Sequence, residues 1–244
     1  NAIADGLQCE TIVSDITLPG DRSSYRFREC DFTIIAFPVY SERIPAFLLD
    51  FISKLNGKGG ALAVIAVYGN IGYGFSIKQF ASFARDNHFR LIAAAAMIGR
   101  HTYASNRSPV GLGRPDESDL KQAMEFGLNI REKLDSGRLE TIGVPACAVT
   151  KILSKLPDGG VRHIIRQPSV DHCACNNCGA CAARCPVGAI DRATLAIDEK
   201  KCLRCCACVQ ACPQNARAAE FRLPALETLF RKIGGRRRDN LFIL

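Results

Sequence analysis

The chain has 244 residues, of which 48% are hydrophobic, and this fits one medium globular domain joined to a small one. Its formal net charge is +8 at pH 7. This charge does not indicate a nucleic-acid surface, because the arginine run at residues 236–238 has no aromatic residues interleaved with it. No apolar run approaches the roughly 20 residues of a transmembrane helix, so no membrane span is expected.

Strand and helix signals alternate over residues 1–137. Short apolar runs typical of buried parallel strands lie at residues 31–37, 61–68 and 90–98, and residues 11–18 alternate like a further strand. Helical patterns lie at residues 45–55, 77–87 and 118–136. This order predicts an α/β domain with a parallel sheet covered on both faces.

Two loops that follow these strands carry a ligand-site signal, because ligands bind beyond the carboxyl ends of the strands in an open parallel sheet. The loops are residues 38–45 and 68–75. Three glycines in the second loop would let backbone approach a flat ligand, and Tyr40 and Tyr73 would offer ring faces. The alternative is that the glycines make turns and the tyrosines cover the sheet edge. The candidate residues are Pro38, Tyr40, Tyr68, Gly69, Asn70, Gly72 and Tyr73.

Turn signals without any metal or nucleophile signature fill residues 138–170, which we interpret as an ordered crossover to a small domain at residues 171–218. The remaining tail, residues 219–244, should contain a helix at residues 224–233. Its apolar stripe is expected to dock on the first domain, with partner binding as the alternative. The stripe consists of Leu223, Leu226, Phe230 and Ile233.

Eight of the 13 cysteines form two sets with the spacing C-x2-C-x2-C-x3-C, each followed by a proline. This is the bacterial ferredoxin signature for two [4Fe-4S] clusters, in which the fourth cysteine of each set ligates the other cluster. The predicted ligands are Cys175, Cys178, Cys181 and Cys212 for one cluster, and Cys202, Cys205, Cys208 and Cys185 for the other. The sets form an internal repeat at an offset of 27 residues, which also matches Asp171 with Asp198.

Three other interpretations of the cysteines fit less well. Zinc usually takes two C-x2-C pairs held well apart, disulfides suit a secreted chain with a leader, and a degenerate site would lack ligands. Metal-ligating cysteines without a visible secretory leader predict a reducing cytoplasm. Of the other five cysteines, we interpret Cys173 and Cys206 as spare thiols and Cys9, Cys30 and Cys147 as small packed hydrophobes.

Four motifs and the cysteine sets resemble those of the flavodoxin–ferredoxin fusion proteins, which join a flavodoxin-like domain to a two-cluster ferredoxin. The motifs are FPVYSERIP at 37–45, AVYGNIGYG at 66–74, GRHTY at 99–103 and GRPD at 113–116. The resemblance spans nearly the whole chain and implies FMN in the first domain. It implies Tyr40 on one side of the isoalloxazine ring and Asn70, Gly72 and Tyr73 on the other. His101 lies in a further loop, as a site residue or a structural one.

The start of the chain departs from that family, because residues 1–7 look like the end of the first helix. The first strand and the phosphate-binding loop of a flavodoxin are missing. In the flavodoxin strand order 2-1-3-4-5 that strand is interior, so we expect the sheet to be cut there. We also expect poor FMN affinity in this chain.

These features predict an electron-transfer protein that serves redox partner proteins. The two clusters would carry single electrons, and FMN in the intact parent would exchange two. One alternative is a flavin-dependent reductase fed by the clusters, although no nucleophile, carboxylate pair or nicotinamide fingerprint is visible. Another alternative is a ferredoxin with a flavin-free docking domain.

Overall fold

The structure is a computed structural model that describes residues 2–27, 32–145 and 160–244. Its helices are α1 (Ala2–Leu7), α2 (Pro19–Ser24), α3 (Ala46–Ile52), α4 (Ser76–Asp86), α5 (Glu117–Asp135), α6 (Ala180–Ala183), α7 (Ala207–Gln210) and α8 (Pro224–Gly234), with a 3-10 helix at Gly160–His163. Its strands are β1 (Phe32–Pro38), β2 (Ala61–Tyr68), β3 (Arg90–Ile98), β4 (Ser169–Val170), β5 (Arg217–Ala218) and β6 (Leu241–Ile243).

The first domain is built on a four-stranded sheet in the order β1-β2-β3-β6. The strands β1, β2 and β3 are parallel, while β6 runs antiparallel beside β3. β2 and β3 are apolar along almost their whole length and buried on both faces, as central parallel strands are. The α/β prediction is confirmed at this level. Because the three parallel strands end on the same side, their following loops meet at one edge, which we call the loop edge.

Helices cover both faces of this sheet. Leu48 and Ile52 of α3 join Phe80 of α4 in the core of one face. Phe126 and Ile130 of α5 pack with α1 on the other face. Each face therefore buries the apolar side of two amphipathic helices.

The contact between α1 and α5 is made backbone to backbone. A Cβ placed on Gly6 would lie 2.1 Å from the carbonyl oxygen of Met124, and one on Gly127 would lie 2.3 Å from that of Ile3. Both distances are shorter than any real contact, so a side chain at either glycine would push the two helices apart.

Most predicted elements of this domain are confirmed. Residues 61–68 and 90–98 form strands over their full predicted length, and β1, α3 and α4 lie where apolar patterns predicted them. The longest helix, α5, begins with a capping box, in which Asp116 and Asp119 each accept the backbone N–H of the other. It ends before Gly137, whose φ of +69° favours glycine.

The strand predicted at residues 11–18 is wrong. Ile12 and Val13 are 71% and 70% exposed, and only Ile16 of this segment packs against the core. Residues 11–18 pair with no strand, because β1 has β2 as its only strand neighbour in the described part of the chain. A strand needs a neighbouring edge for its backbone hydrogen bonds. The described sheet itself is continuous from β1 to β6.

The C-terminal tail adds the fourth strand, which the sequence did not predict. β6 pairs with β3 so that Phe242 lies opposite Ala95. Just before it, the Asn240 side chain accepts the N–H of Ile98 at 2.9 Å and donates to Asp119 at 2.9 Å. Asp119 in turn forms a buried ion pair with Arg114. The tail is therefore part of the first domain.

The helix predicted in the tail is confirmed as α8, but its apolar stripe docks only in part. Phe230 contacts the ring of His101 at a centroid distance of 4.7 Å. Leu223 and Ile233 stay 59% and 45% exposed. At the end of the helix, a Cβ on Gly234 would lie 2.4 Å from Val110, so this turn approaches the first domain closely.

The small domain follows the crossover and contains little regular structure. It has the short helices α6 and α7 and the two-stranded pair β4–β5. Between the two cysteine sets, Ile190 and Ile197 form an antiparallel bridge. Residues 146–159 of the crossover, which include Cys147, lie outside the described residues, and so does Cys30.

Candidate metal centre

Two loops of the small domain fold alike at the 27-residue offset of the repeat. The carboxylate of Asp171 accepts the N–H of Cys173 at 2.9 Å, and its carbonyl accepts that of Cys175 at 3.0 Å. Asp198 does the same for Lys200 at 2.9 Å and Cys202 at 3.0 Å. Each aspartate therefore shapes the turn that presents the first cysteine of its set.

The backbone repeats the same left-handed conformations in both halves. Positive φ values occur in the pairs Asn177 and Arg204, Gly179 and Cys206, and Gly188 and Asn215. The middle pair stands directly before α6 and α7, with φ of 73° and 57°. This conformation turns the chain so that the third cysteine of each set lies in a short helix.

The two halves are also connected crosswise. The N–H of Asp171 donates to the carbonyl of Ala216, and that of Asp198 donates to Ala189, both at 2.8 Å. The same two alanines donate their own N–H groups to cysteine sulfurs, Ala189 to Cys185 and Ala216 to Cys212, both at 3.2 Å. The last cysteine of each set is thereby held where the chain crosses to the other half.

The two predicted ligand sets differ in burial. The outer group is Cys175, Cys178, Cys181 and Cys212, and the inner group is Cys202, Cys205, Cys208 and Cys185. In the outer group only Cys181 is buried, and Cys178 is exposed. In the inner group every member except Cys205 is buried.

Two buried arginines test whether this domain fits an anionic group. Arg204 is 1% exposed and its Nε and Nη1 have no hydrogen-bond partner, while Arg217 is 4% exposed with an unpartnered Nε. Buried cations need a compensating anion. An iron–sulfur cluster with its four thiolates carries a charge of roughly −2 and supplies one. The side chains present therefore fit such a cluster.

Within the described ranges, no three His, Cys, Asp or Glu side chains converge on a point that could hold one metal ion. A single ion such as zinc needs sulfurs about 2.3 Å from one centre. A four-iron cluster binds its thiolates at separate iron corners, so its ligands stand further apart.

The pKa values of Cys208 and Cys212 are shifted in opposite directions. Burial raises the pKa of Cys208 to about 12, against the opposing positive charge of Arg217. Burial acts in the same direction on Cys212, but backbone N–H groups of Gln214, Ala216 and Arg217 outweigh it and lower the pKa of that thiol. Metal binding requires the thiolate, so iron must displace the proton of Cys208.

The inner loop, residues 202–208, lies against the loop edge of the sheet. Thr102 donates its hydroxyl to the carbonyl of Cys205 at 2.5 Å, and Tyr103 donates to that of Arg204 at 2.6 Å. The Tyr40 side chain lies beside that of Cys205. Burial, followed by the charge of Cys205, raises the pKa of Tyr40, which therefore stays a neutral donor. Sequence reasoning missed these contacts, because the partners are far apart along the chain.

A cavity of about 360 Å³ separates the two domains beside this contact. Pro38 and Tyr40 line its sheet side, and Ala207, Ala211 and Arg184 line the other. Arg22 closes one end of the contact by donating to the carbonyl of Pro186 at 2.6 Å. Two of the predicted ligand-site residues are thus brought together next to the inner group.

The other predicted ligand-site residues do not line this cavity. Asn70 is 4% exposed and donates to the carbonyls of Gly234 and Arg236 at 2.8 and 2.9 Å, and so holds the tail. Tyr68 and Tyr73 contact each other edge to face at 5.4 Å. A Cβ on Gly72 would lie 3.0 Å from Glu42 and one on Gly69 would lie 2.4 Å from His101, so side chains of the first domain fill the space beside both glycines.

His101 belongs to an aromatic cluster with Tyr103, Phe221 and Phe230 where the two domains and α8 meet. Burial lowers its pKa to about 4, and its Nδ1 accepts the N–H of Tyr103 at 3.1 Å. The imidazole is therefore neutral at pH 7 and has a structural position.

The cysteines predicted to be spare differ in their surroundings. Cys206 is 3% exposed, whereas Cys173 is exposed. Cys9 is exposed too, so the prediction that it packs as a small hydrophobe is wrong. It lies two residues after the end of α1.

Comparison with known proteins identifies one part of the chain. Residues 195–218 match the family of 4Fe-4S binding domains, and this segment contains Cys202, Cys205, Cys208 and Cys212. The small domain is therefore an iron–sulfur, ferredoxin-like domain, which supports a [4Fe-4S] cluster and a role in electron transfer. No curated protein matches the chain. No helix in the described ranges is both long and apolar enough to cross a membrane.

Proposed function

We propose that this chain is an electron-transfer protein with two [4Fe-4S] clusters, one ligated by the outer group and one by the inner group. The observation that carries the proposal is the crosswise repeat, in which Ala189 and Ala216 hold Cys185 and Cys212 with identical distances of 3.2 Å. Because both sets of cysteines are held by the same hydrogen bonds, each set is expected to ligate the same kind of cluster. The unpartnered guanidinium groups of Arg204 and Arg217 also support anionic clusters.

The difference in burial gives the proposed function a direction. Each cluster, when bound, accepts and releases one electron at a time. The exposed Cys178 leaves the outer group open to a redox partner protein. Thr102 and Tyr103 hold the inner loop against the first domain, and Tyr40 lies beside Cys205. Electrons would enter or leave through the outer group.

Anaerobic reconstitution followed by metal analysis tests this proposal. We expect about eight iron atoms and eight acid-labile sulfides per chain, and two interacting paramagnetic centres on reduction. Cys178→Ser should reduce the iron content by about half, whereas the matched change Cys173→Ser should leave it intact. A chain that takes up no iron or sulfide would contradict the proposal, and one that takes up about four iron atoms would limit it to a single cluster.

A second candidate function adds a flavin in the cavity between the domains. The cavity has the size of small-molecule sites, with an apolar wall at Pro38 and Tyr40 and with Arg184 as the charged residue of the lining in the described part of the chain. Tyr40 would contact the ring system, and Arg184 would face a phosphate. A flavin would supply two-electron chemistry next to the inner group.

Titration with FMN tests the second candidate. Tyr40→Ala should weaken binding, whereas Tyr73→Ala should not, because Tyr73 does not line the cavity. Equal loss in both variants would instead favour the site first expected between the two loops. If FMN does not bind at all, a flavin-free docking role for the first domain is favoured. Steady turnover of a small substrate by the flavin-loaded protein would favour a reductase.

A further inference from the structure

Two arginines of the small domain are buried in a way that its own side chains do not balance. The Arg204 guanidinium donates through Nη2 to Glu199 at 2.9 Å, but the Glu199 side chain is 67% exposed. Arg217 donates through Nη2 to the carbonyl of Leu195 at 2.6 Å, which is a neutral partner. In the described residues the remaining buried donors, Nε and Nη1 of Arg204 and Nε of Arg217, have no acceptor.

Both arginines lie among the cysteines. Arg204 stands between Cys202 and Cys205 in the inner loop. Arg217 directly follows Ala216, whose N–H donates to Cys212 at 3.2 Å. The charge of Arg217 also acts on the pKa of Cys208 and on that of Cys212, so this guanidinium lies near one cysteine of each group.

The repeat places no charge at the two equivalent positions of the first half. The counterpart of Arg204 is Asn177, which is exposed, and the counterpart of Arg217 is Ile190, which is 9% exposed. The backbone is duplicated but the buried charge is not. The turns and the cysteine positions are the same in both halves, so they do not explain why only the second half carries buried arginines.

We propose that Arg204 and Arg217 compensate the charge of the bound clusters and raise their reduction potentials, Arg204 at the inner cluster and Arg217 at both. The inference rests on the proposed function. When a redox partner donates one electron, the cluster becomes more negative by one charge. A buried cation stabilises that reduced form more than the oxidised form, because the reduced form carries the larger negative charge. The low dielectric around a buried cation makes this interaction strong. Both residues are positioning residues that act through their charge.

Anaerobic potentiometric titration of the reconstituted full chain tests the proposal. Arg204→Met should shift the midpoint potential of the inner cluster to a more negative value, and Arg217→Met should shift both potentials that way. The lysine variants should stay near the wild-type potentials, because they keep the charge. Arg192→Met serves as the matched control, since Arg192 is an exposed arginine of the same domain. Methionine variants with a full complement of iron and unchanged potentials would overturn the proposal.

The stability of the metal-free chain gives a second, independent measurement. Without clusters, Arg204 keeps the largely exposed Glu199 as its counter-charge, and Arg217 has no carboxylate partner among the described residues. Arg204→Met and Arg217→Met should therefore leave the metal-free chain about as stable as wild type, or more stable. Loss of iron binding in the methionine variants with retention in the lysine variants would support a role of the charge. Loss of iron binding in both the methionine and the lysine variants would overturn the proposal, because the arginine side chains would then be needed for their shape and not for their charge. A wild-type chain that binds no iron would contradict the proposed function itself. That result is distinct from failure of the arginine proposal, in which the wild-type chain binds iron but the potentials do not change.

Discussion

Tyr103 donates its hydroxyl to the carbonyl of Arg204 at 2.6 Å, which connects the loop edge of the sheet to the inner loop of the small domain. Its neighbour Thr102 reaches the next carbonyl, that of Cys205, at 2.5 Å. Two consecutive side chains thus bind the carbonyls of two consecutive residues. The bonded residues are separated in the sequence by 101 positions for Tyr103 and by 103 positions for Thr102. The inner loop is held by the first domain at the point where it presents its cysteines.

Tyr103→Phe should therefore weaken the contact between the domains without removing the ring. Phenylalanine keeps the contacts with Phe221 and Phe230 but leaves a part-buried carbonyl without its donor, at a cost of about 1–3 kcal/mol. Denaturant unfolding of the reconstituted chain measures this cost, and amide exchange should rise at residues 202–206. Tyr25→Phe is the control, because Tyr25 lies on Phe51 and not on the small domain. Equal effects of both changes would contradict the assigned role.

The crosswise repeat gives a sharp expectation for Cys185. This residue belongs to the first set by sequence, but it lines a small cavity together with Cys202, Cys205 and Cys208 of the second set. Cys185→Ser should therefore leave a protein whose paramagnetic resonance spectrum resembles that of Cys202→Ser and not that of Cys175→Ser. A spectrum like that of Cys175→Ser would indicate that each set ligates its own cluster.

Cys206 allows a test of which cysteines in the inner loop bind iron, because it is predicted to be a spare thiol next to the predicted ligand Cys205. It has a φ of 57°, where its counterpart in the repeat is Gly179. Cys206→Gly should relieve a backbone strain of about 1 kcal/mol and offset the loss of a small buried side chain. Iron content should stay at the wild-type value, whereas Cys205→Ser should lose the inner cluster. Loss of iron in Cys206→Gly would show that this thiol takes part in ligation.

The sequence predicted the elements whose causes are local. The runs that became β2 and β3 are apolar because both faces of a central strand are buried. The start of α5 follows from Asp116 and its end from Gly137. The cysteine spacing is local as well, and it identified the ferredoxin-like domain that the 4Fe-4S family match confirms over residues 195–218.

The features that sequence reasoning missed depend on distant partners. The short run that became β6 is too brief to be recognised, and it forms a strand only because β3 offers an edge. The burial of Arg204 and Arg217 contradicts the usual exposure of arginine and becomes visible only in three dimensions. Residues 11–18 show the reverse case, since a good alternating pattern without a neighbouring edge stayed exposed.

Asn70 was expected beside a flavin, but its hydrogen bonds hold the C-terminal tail. It donates to the carbonyls of Gly234 and Arg236 and accepts the N–H of Arg238 at 3.2 Å. Asn70→Ala should cost about 2–3 kcal/mol of stability, because it removes several buried hydrogen bonds. Limited proteolysis after residue 234 should become faster. Asn56→Ala is the control, since Asn56 accepts the N–H of Lys58 within its own turn, away from the tail. An unchanged tail combined with lost FMN binding would restore the flavin role.

His101 should make the stability of the protein depend on pH. Its folded pKa of about 4 lies below the unfolded value of about 6.5, because burial disfavours the charged ring. The unfolded chain therefore binds the proton first, and this contribution to stability is fully present above pH 6.5 and is lost as the pH falls towards 4. Inside that window the loss is about 1.4 kcal/mol per pH unit.

His101→Phe tests this origin, because phenylalanine can keep the packing on Phe230 but cannot titrate. The variant should be less stable than wild type by about 1 kcal/mol at pH 7.5, since the N–H of Tyr103 loses its acceptor on His101. Between pH 6.5 and about 5 its free energy of unfolding should fall less steeply, so the difference between the two proteins narrows or reverses. Denaturant unfolding of both reconstituted proteins across this range measures the two slopes. Parallel slopes would assign the acid sensitivity to other groups and leave His101 without a titrating role.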